Sequence, residues 1–153
     1  MCKNTDTTTI FATALPSTTA NTRQKICEKW VGVPYVRDGR STSGVDCTGL
    51  LYCIYEEYGY TFPLRSFPRQ QSNWLPIILR TLQECFKVRQ DRKAQFLDLL
   101  LFNVLSASSR IYHCGLYLEA DLFIHVMGTR KVRTDSLSQW TPNLVKAMEP
   151  RRM

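Results

Sequence analysis

The sequence predicts an α+β domain, with helices first and an antiparallel sheet after them. Two observations carry this. Apolar residues in the first half recur at helical three- and four-residue steps, and in the second half they fall in short runs separated by turn residues. The length, 153 residues, suits a single domain with one hydrophobic core.

The elements follow in order. Residues 1–20 are Thr-rich and polar, and read as a poorly ordered tail before a domain at 21–153. A first helix is expected from Asn21 to Gly32, capped by Asn21 or Thr22, with Ile26 and Trp30 on one face. The stretch "VPYVRDGRSTSG" is loop by composition. From Asp46 the pattern turns helical again, with Leu50, Leu51, Ile54, Tyr55 and Tyr58 in step and Gly59 placed to end the helix. After a second loop, residues 73–88 carry Leu75, Ile78, Leu79, Leu82 and Phe86 at helical spacing, with Pro76 in the first turn. Short strands are expected at 98–104, 112–119, 122–126 and 131–135.

The net charge of +7 and pI of 9.3 favour polyanionic partners, among them nucleic acid, anionic lipid and the acidic polymers of a bacterial wall. Lys and Arg are scattered, which equally suits a solubilising surface. No aromatic–basic RNA motif or zinc-finger spacing is present, so nucleic acid is not an expected partner. No apolar run approaches the ~20 residues of a membrane span. The opening residues make a poor signal peptide, which leaves the localisation open. Six cysteines occur, none as CxxC, and read mostly as reduced, small core residues.

One cysteine stands apart. Asp46 can cap the second helix, which places Cys47 in its first turn. The positive end of the helix dipole stabilises a thiolate there and makes a nucleophile. Position alone also suits a merely small residue at a helix start. Cys53, nearly two turns further in, reads as structural. A thiolate nucleophile needs a base, and the chain has only two histidines, His113 and His125, on two strands of one expected hairpin. A three-residue loop at 119–121 would pair 113 with 127 and 115 with 125, so both rings would point the same way. A two-residue loop would put them on opposite faces.

The segments "GVPYVRDGRSTSGVDCTGLLYCIYEEYG", "DLLLF" and "HCGLYLEADLFIHV", in this order, resemble the NlpC-type cell-wall cysteine peptidases. The likeness covers roughly residues 22 to 152 and implies a papain-like α+β fold. It implies Cys47 as nucleophile, His113 as base and His125 as the group that orients His113. Tyr35 matches the tyrosine near the oxyanion and substrate. Asp46 and Thr48 match positions that help bind the free amino end of a peptidoglycan stem peptide. The implied reaction is hydrolysis of an amide bond in the stem, of the D-glutamyl–diamino acid type, with no metal or cofactor. Three positions depart from the family pattern: Asp38, Leu97 and Glu119 stand where glycines are usual. The long helix at 73–88 resembles the insert of phage tail-associated relatives, which implies phage tail proteins as partners and carriage in a virion; action at the bacterial cell wall is the other place left open. An acyltransferase or amidase on the same scaffold is the alternative chemistry, and a non-catalytic wall-binding or virion structural module the alternative class.

Overall fold

A computed structural model describes residues 18–62, 83–91, 93–105, 110–128 and 130–152. Helix α1 is Thr18–Trp30, so the last three residues of the expected tail, 18–20, are helical. Strands β1 (Arg40–Ser41) and β2 (Gly44–Val45) form a small hairpin inside the expected loop. Helix α2 is Cys47–Glu57. Strands β3 (Phe86–Val88), β4 (Leu99–Leu105), β5 (Arg110–Glu119), β6 (Leu122–His125) and β7 (Arg133–Ser136) follow. A short helix α3 (Leu137–Trp140) then leads to β8 (Leu144–Pro150). Strands β3 to β8 form one sheet in the order β3-β8-β4-β5-β6-β7, each pair antiparallel.

The sheet buries side chains on both faces because its strands alternate. Leu99, Leu101, Cys114, Leu116, Leu118 and Ile124 face the helices and join Leu50, Leu51 and Ile54 of α2 in the larger core. Leu100, Phe102, Phe123 and Ala147 face the other way, where Trp140 of α3 packs on them. Burying a Leu or Ile side chain contributes about 1.5–3 kcal/mol, so the three fully buried aliphatics of α2 anchor the helix on the sheet. Tyr55 adds a directed contact: its hydroxyl donates to the Leu97 carbonyl at 2.8 Å.

The third expected helix needs correction at its end. Residues 83–85 make a helical turn, but Phe86–Val88 is a strand, with Phe86 opposite Pro150 and Val88 opposite Met148. Pairing wins because it satisfies the edge of β8 and still buries Phe86, which packs against Tyr55 and Phe62. Residues 73–82 of that helix, the tail to residue 17 and residues 63–71 of the second loop lie outside the described residues. Strand β8 has no counterpart in the sequence reading.

Two of the three departures from the family pattern occupy left-handed backbone: Asp38 has φ 61° and Leu97 φ 67°. For an ordinary L-residue this costs about 1–2 kcal/mol. Hydrogen bonds hold both: Asp38 N–H donates to Asp46 Oδ2 at 2.8 Å, and Leu97 N–H donates to the Tyr117 carbonyl at 2.9 Å. Leu97 also buries its side chain. Next to it, Asp98 is fully buried, and Arg89 grips it with Nε on Oδ2 and Nη2 on Oδ1. This pair ties the start of β4 to the end of β3.

Candidate active site

Helix α2 begins at Cys47 because Asp46 caps it. The Asp46 Oδ1 accepts from Gly49 N–H at 2.7 Å and from the Thr48 hydroxyl at 3.1 Å, while Oδ2 takes the Asp38 N–H. Asp46 and Thr48 are both buried, so each spends its polar atoms on shaping the helix start. Gly49 is required by a close approach: a Cβ there would lie 2.1 Å from the Gly39 carbonyl oxygen.

Cys47 hydrogen-bonds to the Cys114 thiol and to His113. These two bonds, that of Cys114 first, outweigh burial and lower the Cys47 thiol to about 5, with the His113 charge helping and Asp46 opposing. Cys114, as donor to a thiolate in an apolar setting, is raised well above an ordinary thiol. Cys53, on the same helix, is raised by burial. The two cysteines of α2 thus diverge, through the Cys114 and His113 bonds at Cys47 and burial at Cys53. Cys27, Cys47, Cys53, Cys85 and Cys114 are all thiols.

The two histidines face the same way. Leu116 pairs with Ile124 and Tyr117 with Phe123, the register of the three-residue loop. The route there differs. The turn itself is two residues, Ala120 and Asp121, both at positive φ, and Glu119 pairs directly with Leu122. A bulge at Leu118 supplies the extra residue and restores the parity. His113 and His125 are buried, and His113 Nε2 lies 2.8 Å from His125 Nδ1.

The line continues one residue further than the sequence showed. His125 Nε2 lies 2.9 Å from Asp135 Oδ2, which also accepts from Arg133 Nη2 at 2.9 Å. The carboxylate can only accept from His125, so His125 carries its proton on Nε2 and presents a lone pair at Nδ1. His113 must then donate Nε2–H to it. That leaves His113 Nδ1 for Cys47. Trp140 roofs the pair, with its ring centroid 5.1 Å from His125 and 6.0 Å from His113, and Phe102 and Phe123 complete the aromatic box. Neither Asp135, Cys114 nor Trp140 stood out in the sequence.

Burial lowers His125 to about 4, with the His113 charge adding to it and the Asp135 bond opposing. An unfolded chain carries this histidine at its ordinary 6.5. As pH falls from about 6.5 to about 4, the unfolded state takes up a proton that the folded state refuses. Stability is therefore full above that window and drops through it, by on the order of 3 kcal/mol. Thermal unfolding of the wild type and His125→Gln across this range is the measurement: the variant is expected to show a flatter dependence. Equal slopes would remove His125 from the account.

Tyr35 borders the same corner. Its backbone is fixed by a bond from Tyr35 N–H to the Arg130 carbonyl at 3.1 Å and by a parallel bridge to Val45. Burial first, then the Cys47 and Asp46 charges, raise its hydroxyl, which stays protonated as a donor. Among the described residues no helix is long and apolar enough to cross a membrane, and no three His, Cys, Asp or Glu side chains gather as metal ligands.

The structure thus brings Cys47, at a helix start, together with two histidines from an adjacent antiparallel hairpin on an α+β scaffold. The chain belongs to the NlpC/P60 family, whose model matches residues 32–149. It is similar to the gamma-D-glutamyl-L-lysine dipeptidyl-peptidase of Bacillus subtilis (strain 168), at 29% identity over 103 residues, which is 67% of this chain and 30% of that protein. The chain spans about 30% of the length of the curated relatives it matches. Its fold is similar to that of an NLP/P60 family protein, similar to lipoprotein, from Staphylococcus aureus, with TM-score 0.60, 24% identity, and coverage of 86% of this chain and 41% of that one. It is also similar to the NlpC/p60 domain of the peptidoglycan hydrolase SagA, with TM-score 0.56, 21% identity, and coverage of 84% and 97%.

Proposed function

We propose that the protein is a cysteine peptidase that hydrolyses an amide bond in peptidoglycan stem peptides, with Cys47 as nucleophile, His113 as base and His125 as its orienting partner. The observation that carries this reading is the placement of Cys47 at the start of α2 against His113, whose Nε2 lies 2.8 Å from His125 Nδ1. Family membership and the name of the Bacillus subtilis relative support a bond between γ-D-glutamate and a diamino acid.

In the reaction, His113 Nδ1 takes the Cys47 proton and the thiolate attacks the amide carbon. The oxyanion is stabilised by the Cys47 N–H, at the first helical position, and by the Tyr35 hydroxyl. The C–N bond breaks as His113 returns the proton to the leaving amine. Water, deprotonated by His113, then hydrolyses the thioester and releases the Cys47 thiol. Asp46 and Thr48 contribute through the shape of the helix start. The Asp46 charge in addition attracts the ammonium end of a stem peptide. No step needs a metal or cofactor. Digestion of purified peptidoglycan, with mass spectrometry of the released fragments, tests the reading. The expected product is a fragment ending in D-glutamate. Intact stems, or transfer of an acyl group to an added amine without hydrolysis, would favour another chemistry.

A further inference from the structure

We infer that Asp135, on the edge strand β7, is a positioning residue of this site: it fixes the tautomer of His125, and through it the atom at which His113 holds its proton. The inference rests on the Cys47–His113–His125 reading above.

The strand register places it. His125 pairs with Arg133 and Phe123 with Asp135, so Asp135 sits diagonally from His125 on the same face of the sheet. The ring of His125 is fully buried, and Asp135 Oδ2 is the partner of its Nε2 at 2.9 Å. Arg133 Nη2 donates to the same oxygen, which holds the carboxylate in place.

The consequence is directional. Two ring nitrogens 2.8 Å apart share one hydrogen, either His113 Nε2–H donating to His125 or His125 Nδ1–H donating to His113. In the second arrangement neutral His113 carries its hydrogen on Nδ1, and it cannot accept the Cys47 proton there. Asp135 excludes that arrangement, because a carboxylate facing His125 Nε2 demands the hydrogen on Nε2. Its charge also steadies the imidazolium that forms on His113. The other ionisable groups facing the line are Cys47 and Asp46 at the start of α2, Cys114 on β5, Tyr35 from its loop and Arg133 on β7. Of these, only Asp46 shares the sign of Asp135 at neutral pH apart from the thiolate itself, and its oxygens are committed to the helix cap.

The test uses Asp135→Asn and Asp135→Ala in the full chain. The first readout is the rate at which iodoacetamide alkylates Cys47 against pH, followed by mass spectrometry of the Cys47 peptide with Cys53 as internal reference. The second is kcat and KM on a synthetic stem peptide across pH, and the third is the thermal midpoint. Asp135→Ala is expected to lower kcat about tenfold with KM unchanged, and to slow Cys47 alkylation severalfold near pH 5, where its thiolate titrates, rather than at neutral pH. Both variants lose the charge that steadies the cation, so both move the alkaline limb of kcat down by about one pH unit. Asp135→Asn keeps an acceptor and loses less rate. A lowered thermal midpoint with the limb and the alkylation profile in place would make Asp135 merely structural and overturn the proposal. Should Asp135→Ala not fold, an unmoved alkaline limb in Asp135→Asn overturns it alone. Wild-type Cys47 alkylated no faster than Cys53 would instead overturn the nucleophile reading, and this proposal with it.

Discussion

Cys47→Ala is expected to abolish cleavage of stem peptides, with a loss of roughly 10⁴-fold or more, while the protein stays folded. Removing a nucleophile takes away the covalent route entirely and leaves only binding and oxyanion stabilisation, which is why such losses are so large. The side chain lost is small, so the fold should tolerate it. Cys53→Ala is the internal control. It sits on the same helix with a raised thiol, and it should cost ~1 kcal/mol of stability at unchanged activity. Cys114→Ala separates the thiolate from its environment. It keeps the nucleophile and removes the first of the two bonds that stabilise the anion, so activity should rise with pH at a higher midpoint than in the wild type. Single-turnover assays on a stem peptide across pH would read all three. Wild-type rates in Cys47→Ala would end the mechanism.

The largest expected effect on stability lies away from the site, at Arg89. Asp98 is fully buried, and both its oxygens accept from the Arg89 guanidinium, with Gln95 N–H adding a third bond at 2.8 Å. Arg89→Ala leaves a buried carboxylate with that single donor. Breaking a buried pair from one side costs about 3–5 kcal/mol. For a domain of this size that lowers the midpoint by on the order of 10 °C. Replacing both partners with apolar residues, Arg89→Met with Asp98→Leu, should recover much of the loss, since no orphan charge remains. Urea unfolding of the single and double variants is decisive. A single variant within about 1 kcal/mol of wild type would show that water or a neighbour takes over from Arg89.

What could be read from the sequence divides along a physical line. The start of α2 was legible because capping is local: Asp46 accepts from the Gly49 N–H within one turn. The four strands between residues 98 and 135 were legible as short segments set between turn residues. The end of the third helix was not, since Phe86–Val88 continues a helical pattern and only pairing with β8 makes it a strand. β8 itself carries Pro150 and two charges, Lys146 and Glu149, which hide its alternation. At the site, the identity of both histidines was open to reading, but their facing hung on loop length. The bulge that settles it has no signature in "GLYLEAD". Asp135 was invisible for a related reason. In "KVRTD" it reads as one more surface charge, and nothing in the chain before folding places it against His125, ten positions upstream.

The bulge also makes the hairpin a parity device. Facing of the two rings depends on the pairing register, which the length of the turn and the bulge set together. Leu118 is one spare residue held in reserve. A natural or engineered deletion of a single residue in this hairpin can be absorbed by straightening the strand, and the rings still meet. An insertion of one at the turn is absorbed by a longer loop with the pairing unchanged. An insertion between Leu122 and His125 has no such outlet: it turns His125 to the helical side, among Leu116, Ile124 and α2. Variation is therefore expected to be tolerated at the turn and not within the paired part of β6.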